Sequence, residues 1–154
     1  MNIKLDNLGA SPPAFSKAVS RSMKANKARN TKPELALRKA LTRAGIRGYR
    51  LHKKGVPGTP DLAFIGIKLA VFVFGCFWHQ CVVCSLPMPK SNVEFWHAKF
   101  HRNQERDQRK RQELIGLGWQ IVECWEHEIK SDVGECVQSI ASELIRIKSL
   151  EQAG

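Results

Sequence analysis

Three cysteines sit close together in this chain: Cys76, Cys81 and Cys84, with four and two residues between them. Thiolates at that spacing can converge on one tetrahedral zinc ion, and a fourth ligand must then come from elsewhere. The candidates are His127, Cys124, His79 and Cys136. Cys124 lies in an apolar strand and Cys136 beside the apolar stripe of a helix, so both read first as small core residues. His79 is needed for other chemistry. His127 follows the end of a strand and can reach a neighbouring loop. A Cys3His zinc site is the preferred reading. The competing one is a set of buried or redox-active thiols, with Cys81-x2-Cys84 as the redox pair. A second group carries oxygen and nitrogen chemistry. Asp61, just after Pro60, opens a strand, and a carboxylate at the mouth of a sheet suits a divalent cation. Mg2+ there suits phosphodiester hydrolysis, with His79 as general base. Glu34 and Asp107 are supporting carboxylates. Each also has a simpler explanation: Glu34 as part of a helix cap, Asp107 as an exposed ion pair among Arg106 and Arg109.

The elements that must position these groups follow from pattern. Thr31-Lys32-Pro33-Glu34 fits a capping box, Leu37, Leu41 and Ala44 recur at helical spacing, and Gly45 stops the helix. A short basic strand spans about Tyr49 to His52. Gly55 to Pro60 is a loop, Asp61 to Ile65 a strand, Gly66 to Lys68 a turn, and Leu69 to Phe74 an apolar strand that Gly75 breaks. A Cys-rich loop runs from Cys76 to Pro89. Ser91-Asn92-Val93-Glu94 fits a second capping box, opening a long helix to about Leu117. Trp119 to Trp125 is a strand with Trp119, Ile121 and Trp125 on one side. Asp132 to Lys148 is a helix with the stripe Val133, Val137, Ile140, Leu144 and Ile147. The order predicts an α/β domain with a mixed sheet flanked by helices. Residues 1–20 are weakly patterned and read as a flexible arm; residues 21–150 read as a single domain.

The 154 residues carry a net charge of +11 and are 43% hydrophobic, which excludes a mostly disordered chain. A surplus this large points to a polyanion, with nucleic acid first and an anionic membrane surface second. The basic residues form two clusters rather than one amphipathic face: Lys17, Arg21, Lys24, Lys27 and Arg29, then Lys99, Arg102, Arg106, Arg109, Lys110 and Arg111. The apolar run Leu69 to Trp78 is too short to span a bilayer, and Met1-Asn2-Ile3-Lys4 begins no signal sequence, so a cytoplasmic protein without membrane partners is expected.

Taken together these motifs resemble the very short patch repair endonucleases. The likeness runs from about Ser20 to Ile129. It rests on Met23 with Asn30-Thr31-Lys32-Pro33-Glu34, on Pro57-Gly58-Thr59-Pro60-Asp61 and on Gly75-Cys76-Phe77-Trp78-His79. Lys90 to Trp96, Asn103-Gln104-Glu105-Arg106-Asp107 and Trp125-Glu126-His127 complete the ordered series. The resemblance implies a restriction-endonuclease-like fold with a structural zinc. It also implies a monomeric, bacterial, nucleoid-associated DNA-repair enzyme, with other mismatch-repair proteins as further partners. The implied activity is Mg2+-dependent nicking of one DNA strand 5′ to the T of a T:G mismatch, the lesion left by deamination of 5-methylcytosine. By position, Asp61 and the Val73 backbone carbonyl would bind Mg2+, and His79 would activate water. Glu34 and Asp107 would support it, Asp107 by orienting a His or a water. Cys76, Cys81, Cys84 and His127 would hold zinc. Phe77, Trp78 and Trp96 would insert into the duplex with Met23 wedging nearby, and Lys99 and Asn103 would contact the mismatched bases. One position departs from the pattern: just before Gly75 the family carries Asp or His, and here stands Phe74. The alternative from another class is a zinc-stapled mismatch-binding protein with weak or no nuclease activity.

Overall fold

The computed structural model describes residues 29–154; the arm over 1–20, Met23 and the basic cluster up to Lys27 lie outside them. The first described helix, α1 (Lys32–Arg43), starts where the sequence predicts, with the Thr31 side chain accepting from the Glu34 N–H. The capping box forms only in half. Glu34 does not return its carboxylate to Thr31; Oε2 accepts from the Asn30 N–H at 2.8 Å and Oε1 lies 2.7 Å from His52 Nε2. The cap therefore leaves one oxygen of Glu34 turned into the molecule.

Four strands follow: β1 (Arg50–Leu51), β2 (Leu62–Phe64), β3 (Leu69–Phe74) and β4 (Gln120–Trp125). They lie in the order β1-β2-β3-β4, the first two pairings antiparallel and the last parallel. Parallel strands need a long crossover, and here it contains the Cys-rich loop and α2 (Val93–Gly116). Along β3, Leu69, Val71 and Val73 pack on the side of Leu37, Leu41 and Ile140, while Ala70 and Phe72 pack on the side of Leu114 and Trp119. A strand covered on both faces has no polar side, which is why its sequence is an unbroken apolar run.

β4 divides in the same way. Trp119 and Ile121 meet the Leu114 cluster, and Val122 and Cys124 the other core, so Cys124 is the small core residue its setting suggests. Cys136 is buried in that core too, beside Ile140 and Ile147 of α3 (Glu126–Ala153). This last helix differs from the expected one by beginning directly after β4. It breaks at Asp132 (φ −156°, ψ 94°), whose Oδ1 accepts from the Gly134 N–H and restarts the helix at the predicted place. The second capping box is not built: Asn92 has φ +53° and makes no side-chain cap, although the helix opens at Val93 as its spacing predicts. The described residues thus form a four-stranded mixed sheet with α1 and α3 on one face and α2 on the other. Among the described residues no helix is long and apolar enough to cross a membrane.

Candidate active site

The loop after β3 and the turn after β4 meet because those strands are parallel neighbours, with Phe74 paired to Trp125 at their C-terminal ends. Two residues past Phe74 the chain turns back on itself through the Cys81 N–H to Cys76 carbonyl bond. On the other strand, Glu128 accepts from the Trp125 N–H and fixes the start of α3, which carries His127. The ligand atoms of Cys76, Cys81, Cys84 and His127 all lie within 4.8 Å of one another. His127 Nδ1 is 3.3 Å from Cys76 Sγ and 3.5 Å from Cys81 Sγ. Three thiols and one imidazole at such separations match the donor set and size of a tetrahedral zinc site. Burial pushes the Cys76 thiol up to about 12. Burial acts on Cys81 in the same direction, but the backbone N–H groups of Cys84 and Val83 and the neighbouring thiols outweigh it and hold Cys81 below its ordinary value. A metal ion would remove the thiol protons altogether.

Asp61 stands at the entrance to β2, opposite His52 across the β1–β2 hairpin, where the His52 N–H donates to the Asp61 carbonyl at 3.2 Å. Its Oδ2 accepts from the Val73 N–H at 2.7 Å, which anchors the carboxylate over β3. Burial raises the Asp61 carboxyl from 3.8 to about 6; the Val73 hydrogen bond opposes this, Glu34 adds to it, and His52 and His79 oppose it. From α2, Asp107 Oδ2 lies 2.6 Å from His79 Nδ1, leaving Nε2 as the other ring nitrogen. Asp107 also has Arg106 at 3.7 Å, so the exposed ion pair suggested by the sequence exists, but the shorter partner is His79. Phe74 stacks on the His79 ring, with centroids 4.3 Å apart and planes at 30°. Asp61, His79 and Asp107 share a cleft of about 630 Å³ whose wall includes Arg106, Lys110 and Arg111. Gly58 (φ +76°) forms another part of its rim, where a Cβ would meet Phe72 at 3.2 Å and Lys110 at 3.3 Å.

Beside the cleft lies an aromatic group. Phe77 packs edge-on against Trp78, Trp96 and Phe100, with centroids 5.1–5.8 Å apart. Lys99 Nζ sits 5.1 Å over Trp78 and 5.5 Å over Trp96, and Asn103 Nδ2 donates to the Trp78 carbonyl at 3.4 Å. Phe77 and Trp78 are half-buried, whereas Trp96 is 7% exposed and forms the floor beneath them.

Comparison with known proteins gives this arrangement a family. The model of the family described as DNA mismatch endonuclease Vsr matches residues 15–84. The type II nicking enzyme V.XorIIP of Xanthomonas oryzae is 43% identical over 108 residues, covering 70% of this chain and 78% of its own. The chain belongs to the Vsr family. A second relative, the type II nicking enzyme V.NaeI of Lentzea aerocolonigenes, is 40% identical over 131 residues, or 80% of this chain and 76% of its own. The DNA mismatch endonuclease Vsr of Escherichia coli K12 is 35% identical over 107 residues, or 70% and 68%. For this Vsr-family chain the fold brings together Asp61, His79, Asp107 and the Cys3His group at one end of the sheet. Glu34 meets His52, which lies beside Asp61. His52 is the residue the sequence reading passed over. Its signal was available: closing the hairpin between Tyr49–His52 and Asp61–Ile65 sets residue 52 opposite residue 61.

Proposed function

We propose that this chain nicks one strand of duplex DNA 5′ to the T of a T:G mismatch, on a restriction-endonuclease-like scaffold with a structural zinc. The observation that carries this reading is one cleft holding an anchored carboxylate and a His–Asp pair under three cationic side chains. Arg106, Lys110 and Arg111 suit a phosphodiester backbone. Asp107 would fix the His79 ring through Nδ1, so that Nε2 takes a proton from the attacking water. Asp61 and the Val73 carbonyl would hold Mg2+, with Glu34 as a supporting group; when bound, that ion neutralises phosphate charge and orients the water. Cys76, Cys81, Cys84 and His127 would hold zinc and so brace the segment that carries Phe77, Trp78 and His79.

Selectivity has a physical route. Opening a base step costs a few kcal/mol, less at a mismatch, and stacking returns about 1–3 kcal/mol per aromatic. Phe77 and Trp78 would enter such a step, Trp96 would join or support them, and Lys99 and Asn103 would meet the bases. Met23 would act as the nearby wedge from outside the described residues. A purely binding protein is the second reading, and one contact favours it: Phe74 lays an apolar ring on His79 where the family resemblance implies a polar group. Incubation of the protein and Mg2+ with end-labelled T:G and T:A duplexes decides between them. Nicking of the T strand only at the mismatch, lost in Asp61→Ala, is the expected result. Tight mismatch binding without a nick would leave the binding reading, with Phe74 as the cause to test.

A further inference from the structure

Glu34, His52 and Asp61 come from α1, the end of β1 and the start of β2, and their ligand atoms lie within 4.8 Å of one another. Glu34 is 1% exposed. A buried carboxylate is costly unless something satisfies it. Its Oε2 accepts from the Asn30 N–H, but Oε1 accepts no hydrogen bond, although Arg38 Nη1 comes to 3.6 Å. His52 Nε2 is equally buried and makes no hydrogen bond. These two atoms are only 2.7 Å apart, so their lack of a hydrogen bond means the ring nitrogen is not aimed at the oxygen. Asp61 Oδ1 is 3.9 Å from the same nitrogen. Six ligands at about 2.1 Å from a metal ion stand roughly 3.0 Å apart when adjacent and roughly 4.2 Å apart when opposite. The 3.9 Å separation falls inside that range and the 2.7 Å one just short of it, so a small parting of Glu34 and His52 lets the three donors share a third point.

We infer that Glu34, His52 and Asp61 form a three-donor divalent-cation site in which His52 supplies a direct imidazole ligand. The inference deepens the nuclease reading, because Asp61 is the proposed ion-binding carboxylate of the cleft. An imidazole beside two carboxylates makes the site a mixed nitrogen–oxygen one. Mg2+ prefers oxygen alone, whereas first-row transition ions accept imidazole. The site therefore takes Mn2+ more tightly than Mg2+. Glu34, on this view, is a ligand rather than a remote support, which also explains why its oxygen is turned away from the α1 cap.

The test uses the full-length, zinc-loaded protein, so that His127 is already engaged. Mn2+ is titrated by electron paramagnetic resonance, and the bound ion is examined for nitrogen-14 modulation of its spin echo. One Mn2+ should bind with imidazole-type modulation that persists in His79→Ala and disappears in His52→Gln. The His52→Gln change should weaken Mn2+ binding at least tenfold while Mg2+ binding, measured by competition, changes less than threefold. Bound Mn2+ without nitrogen modulation in the unaltered protein overturns the inference. So does modulation that follows His79 instead, or the absence of bound Mn2+. If His52→Gln loses its zinc or its fold, modulation that persists in His79→Ala, His97→Ala and His101→Ala alike assigns the nitrogen to His52, and modulation lost in any of these three overturns the inference. Nicking is assayed in parallel: a protein that nicks but shows no nitrogen ligand retains the nuclease reading without this one, and a protein that shows the ligand but does not nick does the reverse.

Discussion

Asp61 is held by opposing forces that can be measured at a single residue. Burial and the nearby Glu34 carboxylate favour its protonated form, and only one backbone hydrogen bond and two histidines oppose them. The folded protein therefore keeps this proton more tightly than the unfolded chain does. Stability from this group is fully present below pH 3.8 and is lost as the pH climbs through about 6. The loss at neutral pH is on the order of 3 kcal/mol without a divalent ion, for a carboxyl raised from 3.8 to about 6. Asp61→Asn removes it, so the stability of that variant relative to the unaltered protein should rise between pH 5 and pH 7 in urea unfolding; a constant difference would contradict the raised value. Asp107 works on a different quantity. Asp107→Asn keeps the shape beside His79 but removes the negative charge that steadies a protonated ring, and the nicking rate should fall on the order of 10²-fold or more with DNA affinity nearly unchanged. Single-turnover rates beside binding isotherms separate the two.

The element that depends most on one feature is the loop from Cys76 to Pro89. It carries no regular secondary structure and only a few turn bonds of its own. Its position rests on two buried thiols and on His127, which arrives from β4, together with the contacts of Phe77, Trp78 and His79 to α2. A structural zinc contributes on the order of 10 kcal/mol in small metal-dependent domains. Removing it should release the loop more than the sheet, whose cores lie elsewhere. Stripping the protein with a chelator is thus expected to abolish nicking and to expose the amides of residues 76–89 to hydrogen exchange, while β3 and β4 stay protected. Equal deprotection of all three would make the zinc a requirement for the whole fold. The β1–β2 hairpin is the complementary case. It needs no metal to form, because its register is set by backbone pairing, and that register alone sets His52 opposite Asp61.

At the scale of the molecule, the +11 charge becomes informative through where it falls. α2 sends Arg106, Lys110 and Arg111 to the cleft and Lys99 to the aromatic group about two to three turns away, so one helix serves both the proposed cutting and reading surfaces. The pairing of Arg111 with Glu123 of β4 and of Lys110 with Glu113 offsets part of this charge in the free protein. DNA affinity should fall steeply with salt, roughly 10³-fold between 50 and 200 mM if about six phosphates are neutralised. Fluorescence anisotropy over that range checks it, and a flat response would mean that the charge is not the means of binding.

The sequence by itself determined much of this protein. Apolar runs and turn residues set the strands β3 and β4 almost to the residue: β3 is covered on both faces and so is apolar until Gly75 ends it, and β4 starts just past Gly118. The ordered motifs named the family, since short runs such as Gly75 to His79 combine residue types that packing alone would not require. Asp61 was legible as a carboxylate opening a strand, and His79 as a candidate base through its pairing with that carboxylate. The tertiary structure decided what spacing along the chain does not contain. Glu34 looked like a cap because its local partner is three residues away, yet its free oxygen faces His52, eighteen positions later. Asp107 looked like a surface ion pair until the crossover laid α2 beside the loop that carries His79. Phe74 could be recognised as a departure in the sequence, but only the packing shows that it lies flat on His79. Periodicity reports which face of an element is buried; it cannot report which element another side chain meets there. That information resides in strand order and register, and here the parallel β3–β4 pair and the β1–β2 hairpin supply it.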